Sequence, residues 1–122
     1  MLVRKAIFLD RDGTIITNDG DLGNPAGVKL IEGAREAISM LYQAGWLLIV
    51  ITNQAGVARG AFEEEDIHKV HERIDNMICI DGKSPIERYY YCCYHPEGLI
   101  PQWRYDHPSR KPRPGMLREA ML

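Results

Sequence analysis

The sequence lacks any apolar run long enough to cross a bilayer. The run that follows Arg4 and Lys5 ends at Asp10. A membrane helix needs about 20 apolar residues and a signal peptide needs a core of roughly 7 to 15, so neither is predicted. Cysteine is also scarce, and three cysteines with two of them adjacent, Cys92 and Cys93, make a poor disulfide framework. We therefore expect a cytoplasmic protein with no membrane partner.

The sequence also has no large excess of charge, no internal repeat and no low-complexity segment. Its formal net charge is -2, with 26% charged and 45% hydrophobic residues. This balance is typical of a soluble globular protein and gives no electrostatic footprint for a nucleic-acid partner. A compact chain of 122 residues buries roughly two-thirds of its unfolded surface, so we expect residues 1–122 to form one domain.

Apolar patterning predicts alternating strands and helices. Two apolar runs without alternation, at 5–9 and 46–51, predict strands that are buried on both faces and hence parallel. Between them, apolar residues at helical spacing predict a helix over 34–42, with Gly45 as its C-terminal cap. A second helix is predicted over 67–78, after an acidic run that suits a helix N-terminus.

The rest of the chain continues this order. A third strand is predicted over 88–94, followed by a loop with three prolines, 95–111, and by a helix with Pro114 in its first turn. The whole pattern predicts an α/β fold with a doubly wound, Rossmann-like parallel sheet. Ligands of such sheets bind at the carboxyl ends of the strands, so residues that follow the strands are the functional candidates.

The first strand ends in a pair of carboxylates, Asp10 and Asp12, and Gly13 then lets the chain turn away. One carboxylate at a strand end can attack phosphorus, while a second protonates the leaving oxygen and later activates water. A solvated Asp-Gly turn explains this pattern about equally well when it is taken alone. A calcium loop fits less well, because its glycine comes two residues later relative to the acidic pair.

Polar residues follow the other two strands as well. Thr52 and Asn53 suit the oxygens of a phosphoryl group, although loops often use such residues for local hydrogen bonds. Arg110 and Lys111 precede a helix N-terminus and suit an anion, although such a basic pair is usually solvated surface. Because the three features follow three successive strands, we expect them to converge on one edge of the sheet.

Together these motifs resemble those of the phosphatases of the haloacid dehalogenase (HAD) superfamily. The matching segments are 10–14, 52–54 and 110–116, while 55–60 and 91–98 narrow the resemblance to the heptose-bisphosphate phosphatases, whose near relatives act on histidinol phosphate. The resemblance covers essentially the whole chain from Ala6. It implies a HAD-type sheet without a large cap domain, in which loops around 19–24 and 95–109 cover the substrate.

The resemblance implies a magnesium-dependent phosphatase whose substrate and partner is a small sugar phosphate. The expected substrate is D-glycero-D-manno-heptose 1,7-bisphosphate, which would yield the 1-phosphate through an aspartyl-phosphate intermediate. Asp10 would be the nucleophile and a Mg²⁺ ligand. Asp12 would be the general acid and base and would bind Mg²⁺ through its backbone carbonyl. Histidinol phosphate is the alternative substrate, and the complete form would be monomeric.

The resemblance also implies the residues that bind substrate. Thr52 and Lys111 would hold the transferring phosphoryl group, and Asn53 and Arg110 would position the sugar phosphate. A function of a different class stays open, namely a noncatalytic remnant that binds phosphorylated ligands or a partner chain.

The sequence departs from the resembling phosphatases in two places. Many of them bind a structural zinc ion at positions that match Cys92, Tyr94, His107 and Ser109 here. Tyrosine and serine are poor zinc ligands, so we expect no structural zinc. A further Gly-Asp motif would come after Leu122, so we expect a domain that is incomplete at its C terminus, lacks the last strands and binds magnesium weakly.

Overall fold

The computed structural model describes residues 4–122, which contain a parallel three-stranded sheet with the order β1-β2-β3. Helices alternate with the strands, as the sequence predicts. Among the described residues, no helix has the length and apolar character needed to cross a membrane. The elements are β1 Ala6–Leu9, α1 Ala34–Gln43, β2 Leu47–Asn53, α2 Glu64–Ile78, β3 Ile86–Cys92 and α3 Gly115–Ala120, with 3₁₀ turns at Pro25–Gly27 and Pro101–Trp103.

The central strand β2 is longer at its carboxyl end than its apolar run predicts. Thr52 pairs with Tyr91 and Asn53 with Cys92 in register, so both polar residues lie inside the strand rather than in the following turn. Backbone pairing with β3 therefore extends β2 beyond the last residue of its apolar run. Because β2 ends at Asn53, Tyr94 has no neighbour to pair with, and β3 ends two residues earlier than predicted.

Alternation along the sheet separates two packing layers, because successive strand side chains point to opposite faces. Leu48 and Val50 belong to the main core, which also contains residues of α1 and α2. Ile51 belongs to a second cluster on the other face, where it packs with Met116 of α3. Helices therefore cover both faces, which confirms the doubly wound α/β class.

Helix termini follow the local sequence. Gly45, predicted to cap α1, has a left-handed backbone with φ of +94°, a conformation that glycine adopts without strain. At the start of α2, Glu63 and Asp66 form a reciprocal capping box. Pro114 lies one residue before α3 instead of inside its first turn.

One face of α2 is buried against the sheet. Ile67, Val70, Ile74 and Ile78 recur at helical spacing and are almost fully buried. His71 lies among them and is only 5% exposed. A polar ring at this position needs partners, which the site described below supplies.

Removing the Ile74 side chain tests the main core. Ile74→Ala should lower the free energy of unfolding by about 2 to 5 kcal/mol, because a fully buried aliphatic side chain is replaced by a cavity. Met40→Ala on α1, where the parent side chain is 73% exposed, should change it by less than about 0.5 kcal/mol. Urea unfolding of both variants measures the difference, and equal effects would contradict this description of the core.

Candidate active site

The three predicted motifs meet at the carboxyl edge of the sheet, around a pocket of about 420 Å³. The described residues that line it include Asp10, Asp12, Asn53, Arg110 and Lys111, but not Thr52. Five of the six candidate residues therefore share one cavity, as the convergence of parallel strand ends requires.

Asp10 is held at the end of β1 through one of its two carboxylate oxygens. Its Oδ1 accepts a hydrogen bond of 2.8 Å from the Arg11 backbone amide and lies 3.0 Å from Nζ of Lys111. Within residues 4–122, Oδ2 has no hydrogen-bond partner, and the side chain is 49% exposed. The orientation of the carboxylate is thus fixed while one oxygen stays free to react.

Asn53 joins the loop before α3 to the central strand. Its Nδ2 donates to the Lys111 carbonyl at 3.1 Å, and its Oδ1 accepts from the Lys111 amide at 2.9 Å. Nζ of Lys111 also donates to the Ile51 carbonyl at 3.1 Å. The Asn53 side chain therefore holds the backbone of Lys111 and brings its ammonium group to Asp10.

Asp12 is held at both carboxylate oxygens by buried polar side chains. We use the name Arg11 network for Asp12 together with Arg11, Thr52, Gln54 and His71. Nη2 of Arg11 lies 3.1 Å from Asp12 Oδ1, and Nε2 of Gln54 donates to Oδ2 at 2.9 Å. Nη2 of Arg11 also donates to Gln54 Oε1 at 2.9 Å. Nη1 of Arg11 lies 3.2 Å from Nε2 of His71.

This network explains why Thr52 does not line the pocket. The Thr52 side chain is 1% exposed, and its hydroxyl accepts a hydrogen bond of 2.9 Å from Gln54 Nε2. Contact of the Thr52 hydroxyl with a phosphoryl group stays a prediction. Arg11, Gln54 and His71 also belong to the site and were not predicted from the sequence. An arginine between two acidic residues and a histidine within an apolar helix stripe were the available signals.

His71 is an acceptor in this network. Burial, the charge of Arg11 and the proximity of His68 together lower its pKa to about 3 from the usual 6.5. An arginine only donates hydrogen bonds, so Nε2 of His71 must accept, and the ring proton is assigned to Nδ1. The ring stacks on Tyr89 with 4.1 Å between centroids. His71 is therefore a neutral, fixed acceptor at neutral pH.

The low pKa of His71 predicts a defined loss of stability in acid. A histidine with a pKa of about 3 when folded and 6.5 when unfolded stabilises the fold fully above pH 6.5, and this contribution falls as pH drops towards 3. In His71→Phe the difference in unfolding free energy between pH 7 and pH 4 should shrink by an amount on the order of a few kcal/mol. Urea unfolding at both pH values measures it.

Ile74→Ala is the matched control for this measurement, because it weakens the same helix but keeps the histidine. It should retain the acid sensitivity of the parent. If His71→Phe lost as much stability in acid as the parent, His71 would not be the buried neutral group described here.

Arg110 presents an unused donor at the pocket. Its Nε is buried and has no hydrogen-bond partner in the described structure, while Nη1 makes only a long 3.4 Å contact with the Lys111 carbonyl. A buried donor without a partner costs about 1 to 3 kcal/mol, which a bound anion would offset. The guanidinium therefore favours an anionic ligand in this pocket.

Two loops are joined at the rim of the pocket by an ion pair. Arg59 donates to both oxygens of Asp21, at 2.9 and 2.6 Å, and both residues line the cavity. The hydrogen bond from Arg59 holds the pKa of Asp21 below its usual value. The segment 19–24 thus contributes to the pocket, as the resemblance implies.

The second segment expected to cover the substrate, 95–109, does not line this pocket in the part of the chain that the structure describes. Its backbone amides at Leu99 and Ile100 instead donate to the Ala58 carbonyl, at 2.8 and 2.9 Å. This segment therefore supports the turn that carries Arg59.

Two of the positions matched to a zinc site, Tyr94 and His107, belong to an aromatic cluster, which consists of Tyr94, Trp103, Tyr105 and His107. The rings of Tyr94 and His107 are stacked with 4.5 Å between centroids, and Trp103 meets Tyr94 edge-on at 5.1 Å. Nδ1 of His107 already accepts a hydrogen bond of 3.0 Å from the Ser109 amide. The aromatic cluster thus fastens the loop by ring contacts.

The thiols beside the aromatic cluster are buried. Burial raises the pKa of Cys93 to about 12 and that of Cys92 above its usual value. In residues 4–122, no three His, Cys, Asp or Glu side chains are grouped to hold a metal ion. The residues at these positions do not fit a structural zinc site.

Elemental analysis tests the absence of zinc. Protein purified without chelator should contain far less than one zinc per chain, because Tyr94 and Ser109 replace good ligands. Thermal unfolding should also be unchanged by chelator. About one tightly bound zinc per chain, lost together with stability on chelation, would contradict the prediction.

The fold is that of HAD-like phosphatases. A family model described as polynucleotide kinase 3 phosphatase matches residues 5–122. The chain belongs to this family. A D-glycero-beta-D-manno-heptose-1,7-bisphosphate 7-phosphatase from Salmonella typhi is 40% identical over 115 residues, which are 94% of this chain and 61% of that protein.

Two solved structures share the fold. A Mesorhizobium loti protein, described as a candidate HAD-like phosphatase, superposes with a TM-score of 0.86 at 38% identity, over 96% of this chain and 56% of that one. The D,D-heptose 1,7-bisphosphate phosphatase from B. bronchiseptica, complexed with magnesium and phosphate, gives 0.81 at 29% identity, over 95% and 61%. The chain spans about three-fifths of the length of these relatives. The comparisons confirm the predicted fold class and resemblance.

Proposed function

We propose that this protein hydrolyses a phosphate ester of a sugar, with D-glycero-D-manno-heptose 1,7-bisphosphate as the first substrate to test. The observation that carries the proposal is the pair of Asp10 and Lys111, 3.0 Å apart in a pocket that also exposes Arg110. The names of the Salmonella typhi and B. bronchiseptica relatives supply the heptose bisphosphate as the candidate.

In the first step, Oδ2 of Asp10 attacks phosphorus and forms an aspartyl phosphate. The bond between phosphorus and the sugar oxygen breaks, and that oxygen takes a proton from the protonated carboxyl of Asp12. The ammonium group of Lys111 offsets the repulsion between Asp10 and the anionic phosphoryl group.

In the second step, water attacks the phosphorus of the aspartyl phosphate while Asp12 takes a proton from that water. Inorganic phosphate leaves and the Asp10 carboxylate is restored. Asp12 thus returns to its protonated form, ready for the next substrate. The Arg11 network supports both roles of Asp12, because Arg11 and Gln54 hold the carboxylate in one place while its proton is lost and regained.

Two oxygens at the pocket suit a magnesium ion. The Asp10 carboxylate is 49% exposed and would bind the ion through the oxygen that does not attack phosphorus, and within residues 4–122 no backbone amide donates to the Asp12 carbonyl oxygen. Magnesium prefers carboxylate and carbonyl oxygens together with water. When bound, the ion would neutralise negative charge on the phosphoryl oxygens. The magnesium and phosphate in the B. bronchiseptica structure support this assignment.

The second phosphate of a bisphosphate has candidate partners at the same pocket. Arg110, which has an unpaired buried Nε, and Arg59, which is 47% exposed and paired with Asp21, both line this pocket. A substrate with two phosphates would use more of this positive charge than histidinol phosphate, which has one. The cation content therefore favours the heptose bisphosphate over the alternative substrate.

Asp10→Asn tests the covalent mechanism, because an amide oxygen is a poor nucleophile and cannot form the acyl phosphate. Phosphate release from heptose 1,7-bisphosphate with Mg²⁺ should fall by at least about a thousandfold, while thermal stability stays near that of the parent. Asp106→Asn is the matched control, since Asp106 pairs with Arg113 on an exposed surface and should keep the parental rate.

Comparison with Asp12→Asn and with a second substrate completes this test. Asp12→Asn should lower kcat by about a hundred- to ten-thousandfold with little change in substrate affinity, because acid and base assistance is lost. Histidinol phosphate should be hydrolysed more slowly than the bisphosphate. Parental turnover by Asp10→Asn, or substrate binding by the parent without any phosphate release, would overturn the proposal.

A further inference from the structure

His71 is a buried polar residue that has no place in the mechanism described above. It lies on the buried face of α2, is 5% exposed and does not line the pocket. The other buried residues of α2 are isoleucine and valine. A buried histidine in such surroundings needs a hydrogen-bond partner. Here the partner is the guanidinium of Arg11, at 3.2 Å.

Arg11 directs its donors to three different groups. Nε and Nη2 approach Asp12 Oδ1 at 3.3 and 3.1 Å, and Nη2 also meets Gln54 Oε1 at 2.9 Å. Nη1 meets His71 Nε2. Since a guanidinium is planar, an acceptor at Nη1 fixes the rotation of the plane that presents Nη2 to the carboxylate.

Both contacts that hold Asp12 depend on that plane. Oδ1 is held by Arg11 directly. Oδ2 is held by Nε2 of Gln54, whose own amide orientation is set because its Oε1 accepts from Arg11. A rotation of the Arg11 plane would therefore release Asp12 Oδ1 and remove one of the two bonds that orient the Gln54 amide, the other being its bond to Thr52.

His71 in turn is fixed from the sheet. Its ring lies flat on Tyr89, with an angle of 14° between the planes, and the Tyr89 hydroxyl donates to Asp75 at 2.8 Å. Tyr89 is in register with Val50 on the central strand. The sheet that carries the site therefore also fixes the position of the His71 ring.

We propose that His71 is a positioning residue for Asp12 and acts through Arg11. The role of Asp12 in catalysis rests on the proposed function, whereas the contact between His71, Arg11 and Asp12 does not. His71 touches neither substrate nor the reacting atoms. It contacts Arg11 on the side away from Asp12, and in this way it keeps the Asp12 carboxylate aligned with the phosphoryl group.

Two substitutions of His71 separate the acceptor from the packing. His71→Phe keeps an aromatic ring on Tyr89 but removes the acceptor, whereas His71→Gln keeps an acceptor and loses the stack. We expect kcat of His71→Phe to fall about tenfold with KM changed less than about twofold, since misplacement of a catalytic group costs rate rather than binding. His71→Gln should recover part of kcat. Asp106→Asn, at an exposed ion pair outside the Arg11 network, should keep the parental kcat.

A second readout does not depend on turnover. In the ligand-free full chain at pH 7, NMR reports the exchange of the Arg11 Nε proton with water and the carboxyl carbon shift of Asp12. In His71→Phe the exchange should accelerate and the Asp12 signal should move, while Asp106→Asn leaves both unchanged. If the parent releases no phosphate, the proposed function fails, and these two signals alone decide the role of His71.

Two results would overturn the proposal. One is an unchanged Arg11 exchange rate and an unchanged Asp12 shift in His71→Phe. The other is an equal loss of kcat in His71→Phe and His71→Gln that follows an equal loss of thermal stability, because that outcome assigns His71 to packing alone.

Discussion

The burial of Arg11 beside Asp12 is the interaction on which the arrangement of the site depends. A guanidinium that is 1% exposed retains its charge, so its donors need acceptors within the protein. Gln54 and His71 meet that need, and their presence explains polar side chains inside an otherwise apolar layer. Thr52 is drawn into the same set through Gln54. One buried charge thus accounts for a buried polar side chain in α2, one at the end of β2 and one directly after it.

A second constraint is the attachment of Lys111 to the sheet. The loop before α3 has little regular structure, yet the Asn53 side chain bonds its backbone at two points and thereby places an ammonium group beside Asp10. Asn53 was expected to position the sugar phosphate. In the structure both polar atoms of its side-chain amide bond the Lys111 backbone, so the contacts of Asn53 are ones that hold the site together.

The fold was largely predictable because apolar runs and helical spacing reflect burial directly. The apolar pattern did not predict the end of β2, because strand pairing decides it. Thr52 and Asn53 belong to β2 because they pair with residues of β3. The strand-end candidates were found because topology brings strand ends together. His71 was missed because its partner lies 60 positions earlier in the chain, and no local pattern records such a contact.

The aromatic cluster has a consequence for how the loop after β3 comes apart. A tetrahedral metal site holds a loop through a few strong bonds, and losing one ligand releases the whole. The rings of Tyr94, Trp103 and His107 instead contribute about 0.5 to 1.5 kcal/mol per pair, each of them separately. Local opening of this loop is therefore graded with temperature, because the loss of one ring contact does not release the others.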